Sequence, residues 1–397
     1  MNLNKEELLD IVVHSANTTY LTHNFHSFPG KFIPQIPDLL IRQFSREGDT
    51  VFDPFCGSGT TLVEAKLSSR HSIGTDIHPL SVFMSKVKTT KIDGKELDNI
   101  PAFLKLVEKR LDNFYAQSRS SETLLDYVDQ SFLNEDFSYR IPEFPNRDHW
   151  FENQVLHELA IIRASIATQD CNSDFRDFLL LALSSVIVSV SNQDSETRYA
   201  AVKKEIPRKY PFLLFKNKLL NMRERMKEFD LKASECRAQA IVGDCRKKCL
   251  TPDDSVDLIV TSPPYPNTYD YYLYHKMRMF WLDMDWESAK FNEIGSRLRH
   301  SSQREGIESY INDMVKCFEH FNQTLRPEKP FVIVIGDSVI RKEFLKGDEI
   351  VDGLAEKTGF KVLDEIHYDL SYASKTFNPA FRNKSKQEHI ILLQNVK

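Results

Sequence analysis

Between Thr50 and Asp76 the chain has few ways to fold. Thr50-Val51-Phe52-Asp53 is β-branched and aromatic and ends in an acid, the composition of a short buried strand. Pro54-Phe55-Cys56-Gly57-Ser58-Gly59 makes a turn, and its glycines let backbone pass close to a bound molecule. A helix carrying Thr60, Thr61, Leu62, Ala65 and Leu67 comes next. His71-Ser72-Ile73-Gly74-Thr75-Asp76 is then a second strand with a second terminal acid. A strand–helix–strand unit of this kind runs parallel. The loop is no phosphate cradle, because no Gly-Lys-Ser/Thr follows it. It is a poor dinucleotide fingerprint too, because Leu62 stands where the third glycine belongs. Acids at both strand ends suit an uncharged nucleoside, with Asp76 placed to accept from ribose hydroxyls. The plainer alternative is that Asp53 and Asp76 only form turns.

The same rhythm returns later. Ala240-Ile241-Val242-Gly243-Asp244 is a strand ending in an acid, and Phe331 to Asp337 is a buried strand. Between them Val256 to Thr261 runs into Ser262-Pro263-Pro264-Tyr265. Two prolines cannot donate to a ladder and hold the chain in an extended turn. Some carbonyls there must face outward as acceptors. With the Ser262 hydroxyl and the Tyr265 ring they suit a planar molecule that bears an exocyclic amine. Lys361 to Leu370 and Glu388 to Leu393 read as a closing pair of strands at an antiparallel edge.

From about Lys91 to Glu235 strand signals are scarce, and a mainly helical insertion is expected. Pro101 to Tyr115 and Phe175 to Val190 read as helices, and Asp148 is expected to cap a helix through Trp150 and Ile166. Residues 203–227 mix Lys203, Lys204, Arg208, Lys209, Lys216, Lys218, Arg223, Arg225 and Lys227 with aromatics. That is either a surface for a nucleic-acid backbone or a solvated helix face, and for most of the lysines the second reading is preferred. The dense aromatics from Tyr269 to Trp281 are at least partly core. Gly295 to Gly306, with Arg297, Arg299, His300 and Arg304, reads as a mobile loop. Near the start, His26 to Pro34 is a turn-rich loop before a helix from Ile36 to Phe44. Phe28 and Phe32 either pack under that helix or line a ligand.

Length allows one large domain or two ordinary ones: the chain has 397 residues, 41% hydrophobic and 27% charged, a globular composition. No basic start leads into an apolar segment, so no signal peptide is read. Phe178 to Val190 is too short to span a bilayer. Six cysteines are few for this length and suit a reduced cytoplasm. Cys236, Cys245 and Cys249 lack the spacing of a zinc site, so no metal is expected. A net charge of −5 argues mildly against nucleic acid, although a basic stripe suffices for such a partner.

Asp53-Pro54-Phe55-Cys56-Gly57-Ser58-Gly59-Thr60-Thr61 and Thr261-Ser262-Pro263-Pro264-Tyr265 together resemble the amino-methyltransferases that modify DNA with S-adenosylmethionine. The resemblance covers roughly residues 23–85 and 236–395. It implies an α/β fold: a Rossmann-like methyltransferase sheet of seven mostly parallel strands with an antiparallel edge, plus the helical insertion. It divides the chain into 1–90, the cofactor-covering motif and first half of that domain; 91–235, the insertion and candidate target-recognition region; and 236–397, the second half with the catalytic motif. Phe55, Gly57, Gly59, Thr60 and Thr61 would lie at the cofactor, with Asp53 at its methionine amine. Asp76 would hold the ribose and Asp244 the adenine amine. Phe28, Lys31 and Phe32 would cover the methionine end, and Thr261 would lie beside the cofactor. Ser262, Pro263, Pro264 and Tyr265 would be catalytic. In the family Ser-Pro-Pro-Tyr mostly accompanies N4 of cytosine, and Asn or Asp before the prolines accompanies N6 of adenine.

The expectation is therefore a cytoplasmic DNA methyltransferase acting on cytosine N4 in double-stranded DNA, with a companion restriction endonuclease as a further partner of the kind such enzymes have. Adenine N6 and RNA are the rival substrates, and a DNA-binding module without catalysis is the rival class. One feature departs from the common layout: the insertion lies between the ribose acid and the adenine acid. Tyr269 to Arg304 is thus a second candidate for reading the target. Recognition sequence and oligomeric state are not legible.

Overall fold

The computed structural model describes residues 1–397 apart from 16, 32, 120–129, 135–136, 248–250, 303–304 and 370–385. The central sheet has seven strands. In chain order they are β1 (Thr50–Asp53), β2 (His71–Asp76), β3 (Ala238–Val242), β4 (Leu258–Thr261), β5 (Pro330–Gly336), β6 (Phe360–Asp369) and β7 (Gln387–Asn395). Across the sheet the order is β6-β7-β5-β4-β1-β2-β3. β1 pairs in parallel with β2, Thr50 opposite His71 and Asp53 opposite Gly74, and with β4 on its other side. β2 with β3, and β4 with β5, are also parallel, while β7 is antiparallel to both neighbours. The order reverses between β1 and β4. In an open α/β sheet that reversal leaves a crevice beyond the strands' carboxyl ends.

Successive residues of the inner strands enter opposite cores, as the two-residue period requires. Val51, Leu258, Val260 and Val332 face one side, packed with Leu8 of α1 (Lys5–His14), Leu40 of α2 (Gln35–Phe44) and Ala65 of α3 (Thr60–Leu67). Both faces are covered, which explains the continuous apolar runs.

A second core starts at α4 (Pro79–Thr89) and runs through the insertion: α5 (Gly94–Arg119), α6 (Asn153–Ala167), α7 (Ser173–Val186) and α8 (Tyr210–Lys232). Two small hairpins, Gln130–Asn134 with Phe137–Arg140 and Gln193–Ser195 with Arg198–Ala201, accompany the helices. Met84 and Val87 on one side of residue 91, and Met277, Met279 and Trp281 beyond residue 235, belong to this same core. The insertion is thus packed continuously onto the sheet domain.

Several local expectations are corrected. α5 starts at Gly94 and contains Pro101, because Asp93 Oδ1 accepts from Lys95 N at 2.8 Å and starts the helix early. Asp148 does not cap a long helix. It lies in a short turn, Arg147–Trp150, and extended backbone at Phe151 separates that turn from α6. The break lets the neighbours Trp150 and Phe151 both enter the core. Part of the basic segment is tied to neighbouring elements, and the rest is a partly exposed helix face. Lys218 Nζ donates to Asn24 O and Arg225 Nη1 to Thr19 O, both at 2.6 Å, and Arg223 and Lys227 pair with Asp98. The stretch after Gly295 is pinned: Arg299 pairs with Glu305 and, at 2.6 Å, with Asp313, and His300 is buried. Arg304 lies outside the described residues.

The far face of the sheet, Phe52, Ile259, Phe331 and Ile333, packs under α9 (Ile307–Thr324) and α10 (Gly347–Thr358). Among the described residues no helix is long and apolar enough to cross a membrane. Phe321 of α9 sits among Phe52, Phe55, Phe318 and Phe331, with ring centroids 5.7 to 6.3 Å away. Truncation of a buried aromatic costs about 3–5 kcal/mol. Phe321→Ala is expected to lower stability by that amount in urea unfolding, and an unchanged midpoint would contradict this packing.

Candidate active site

The crevice at the strand reversal is a cavity of about 670 Å3. Its wall is built from the segments that leave the ends of β1 (Phe55, Gly57, Ser58, Thr60), β2 (Asp76, His78), β3 (Gly243, Asp244) and β4 (Ser262, Pro263, Pro264, Tyr265), with Phe28 and Lys31 from the N-terminal loop. Residues far apart in sequence thus converge because four strand ends are neighbours.

The glycine loop is shaped by its surroundings. Gly57 has φ 47°, and a Cβ there would lie 3.1 Å from the Phe28 ring. That ring stacks on Tyr271, centroids 5.2 Å apart, and on His275. Gly59 has φ 80°, and a Cβ there would come within 2.9 Å of the Ser85 Cα. Gly59 thus lets α3 close onto α4 and is not part of the cavity wall. Thr61, Thr261 and Asp53 stand behind the wall as well. Asp53 is 2% exposed; its Oδ1 accepts from Thr261 Oγ1 at 2.6 Å and from Phe55 N at 3.2 Å. Burial pushes its carboxyl up to about 6, against the pull of those hydrogen bonds.

Asp76 Oδ2 accepts from Gly57 N at 3.0 Å and Oδ1 from His78 N at 2.8 Å. Burial raises its carboxyl, with the adjacent His78 and those N–H groups in opposition. Asp244 is different. Burial alone would raise it, but Arg246, at 2.9 Å from each carboxylate oxygen, outweighs burial and holds it below its ordinary value. Arg246 also reaches Asp313 and the Asn292 carbonyl. Lys31 Nζ donates to His23 O at 3.1 Å, and burial lowers its pKa.

In the proline turn, Tyr310 Oη donates to the Pro264 carbonyl at 3.1 Å. Among the described residues no donor reaches the Pro263 carbonyl. Ser262 Oγ donates to Tyr265 Oη at 3.4 Å, and Tyr265 Oη donates to Glu388 Oε1 at 2.6 Å. Burial, then the Glu388 carboxylate, keep the Tyr265 phenol well above its ordinary value, so it remains a donor.

The cavity therefore gathers Phe28, Lys31, Phe55, Gly57, Thr60, Asp76, Asp244 and Ser262 to Tyr265, and leaves Asp53, Gly59, Thr61 and Thr261 behind it. Phe32 lies outside the described residues. Sequence reading missed Arg246, Glu293 and Glu388. Arg246, two residues past Asp244, was open to a local-pairing argument, and Glu388 is a charge shortly before the apolar run Ile390 to Leu393. Glu293, 4% exposed, accepts from Tyr272 N and meets His78; nothing in its flanking residues marks it. Cys245 Sγ donates to the Pro54 carbonyl at 2.7 Å, a packing role, and Cys249 lies outside the described residues. One described group of metal-ligand type, Asp337, Asp348 and His389, comes together. In it Asp337 already accepts from Gly347 N, Gln387 N and His389.

Asp53 yields a pH prediction. A carboxyl raised on folding is penalised once it ionises, so its cost is absent below its ordinary value of 3.8 and complete above about 6. Two units correspond to about 3 kcal/mol at most. Asp53→Asn is expected to gain stability over the parent as pH rises from 4 to 7 in thermal unfolding. A difference independent of pH would contradict this.

The DNA methylase family model matches residues 4–86 and 256–397, and the unmatched stretch between holds the whole insertion. Type II methyltransferase M.MvaI of Kocuria varians is 28% identical over 94% of this chain and 87% of its own length. Type II methyltransferase M.MjaII of Methanocaldococcus jannaschii is 24% identical over 83% of this chain and 74% of its own. With more than half of its residues matched, on both sides of one nucleoside-sized crevice, the chain belongs to the DNA methylase family, the S-adenosylmethionine-dependent amino-methyltransferases of DNA.

Proposed function

We propose that this protein methylates the exocyclic N4 of a cytosine turned out of duplex DNA. The observation that carries the reading is that the Ser262-Pro263-Pro264-Tyr265 turn shares one cavity with the glycine loop, Asp76 and Asp244.

The residues present fit S-adenosylmethionine. Side-chain-free backbone at Gly57 lies under the Phe28 ring, and carboxylates stand at the ends of β2 and β3. Asp76 is suited to the ribose hydroxyls and Asp244 to the adenine amine, while Phe28 and Lys31 cover the methionine end. Bound there, the cofactor would supply a sulfonium methyl as the electrophile for the amine nitrogen, with sulfur as the leaving atom that would keep the electron pair.

The protein's part is positioning. An exocyclic amine conjugated to its ring is a weak nucleophile. Ser262 Oγ and the Pro263 carbonyl accept its two N–H bonds, which returns density to nitrogen and aims the lone pair at the methyl group. The extra proton leaves to solvent. Extrusion of the base costs a few kcal/mol. Stacking on Tyr265, whose hydroxyl is anchored on Glu388, returns about 1–3 kcal/mol. Serine ahead of the prolines, where the family otherwise has Asn or Asp, favours cytosine over adenine.

Nucleoside analysis of duplex DNA methylated by the purified protein is expected to yield N4-methylcytosine. N6-methyladenine as the sole product, or label entering only RNA in a competition, would overturn the reading. Ser262→Ala is expected to keep cofactor affinity and to lose turnover by about 10²-fold; wild-type turnover would remove Ser262 from the mechanism.

A further inference from the structure

We infer that Glu388 is a positioning residue of this site and sets the direction of the Ser262 hydroxyl through Tyr265; the inference rests on Ser262 as acceptor for the target amine. A serine hydroxyl both donates and accepts, and it rotates to suit its neighbours. To activate an amine it must accept. A hydroxyl that turned its proton toward the amine would meet the lone pair that attacks the methyl group. Something must hold that proton away from the cavity.

The structure supplies it in two steps. Ser262 Oγ donates to Tyr265 Oη at 3.4 Å, and Tyr265 Oη donates to Glu388 Oε1 at 2.6 Å. The other oxygen, Oε2, accepts from the Tyr368 hydroxyl. An ionised carboxylate only accepts, so both phenols are obliged to donate to Glu388. Tyr265 Oη then has lone pairs left and no proton to give to Ser262. The serine must be the donor of that pair, and its own lone pairs are left for the cavity. Every bond in the chain points one way, which also strengthens the acceptor at its head.

The anchor is rigid and remote. Glu388 is 9% exposed and Tyr368 6%. Glu388 opposes Gly336 in the β7–β5 ladder, and Tyr368 opposes Glu388 in the β6–β7 ladder. The carboxylate thus belongs to the antiparallel edge of the sheet, 123 residues from Tyr265. A buried Glu just before the apolar run Ile390 to Leu393 is costly unless it is partnered, and among the described residues the two phenols partner its side chain.

A merely structural role would also employ these contacts, so the test needs a readout that such a role would not move. Tyr265→Phe removes one oxygen and keeps the ring. Glu388→Gln places an N–H₂ group against one phenol and scrambles the order. Each is expected to lower kcat roughly ten-fold, with the KM for DNA and the cofactor affinity unchanged; because each also weakens the partnering of a buried carboxylate, a lower melting midpoint accompanies the change. In a Ser262→Ala background neither change is expected to reduce kcat further, because there is no hydroxyl left to orient. Equal losses in both backgrounds, or wild-type kcat for Tyr265→Phe, would overturn the inference while leaving the proposed reaction intact. Turnover is compared well below every variant's melting midpoint, so that a loss of stability does not register as a loss of kcat. Wild-type turnover of Ser262→Ala by itself would instead sink the reading of Ser262, and the inference with it.

Discussion

The hydrogen bond from Thr261 Oγ1 to Asp53 Oδ1, 2.6 Å long and buried, holds the site together. It joins the last residues of the two strands between which the sheet order reverses. The glycine loop leaves from one and the proline turn from the other. Asp53 also accepts from Phe55 N, so one carboxylate sets the start of the loop and its distance from the turn. Burial of that carboxyl is costly, and the surrounding packing offsets the cost. Its hydrogen bonds register the two halves of the cavity against each other.

The insertion is coupled to that register. Arg278, fully buried, donates to the Ser184 carbonyl in α7 and to both oxygens of Glu196 in the hairpin turn. Thr197, next to Glu196, lines the cavity. His26 Nε2 meets Ser184 Oγ at 3.1 Å, and Phe28 stacks on Tyr271 and His275. A continuous path of contacts, from fully buried Arg278 to partly exposed Glu196 and Phe28, therefore runs from the helical core to the cavity mouth. A duplex that touched the insertion would meet a surface held in fixed relation to the proline turn, and the hairpin brings a piece of the insertion to the cavity although 91–235 precedes Asp244 in sequence.

Local chemistry was legible and long-range pairing was not. The strands at Thr50 and His71 and the glycine turn are dictated by residue types within 27 positions, and the proline turn by six. Apolar period and breakers decide such short segments. The family resemblance placed Asp53, Gly59, Thr61 and Thr261 at the ligand. Their long-range partners were not legible: Asp53 and Thr261 find each other across 208 residues, and Gly59 meets Ser85. The cations of residues 203–227 looked free for the same reason: Asp98, Thr19 and Asn24 lie more than a hundred positions upstream. Asp148 failed as a cap because burial of both Trp150 and Phe151 prevailed over helix continuity.

The central claim is that one crevice presents a methyl donor and a flipped cytosine to the Ser262-Pro263 edge. A crystal structure of the protein with S-adenosylhomocysteine and a duplex containing its methylation site tests this most directly. The account predicts a cytosine out of the stack, its N4 within about 3 Å of both Ser262 Oγ and the Pro263 carbonyl, and the cofactor product between Phe28 and Asp244. A target base whose amine lies beyond hydrogen-bond reach of Ser262, or a cofactor bound outside this crevice, would contradict it.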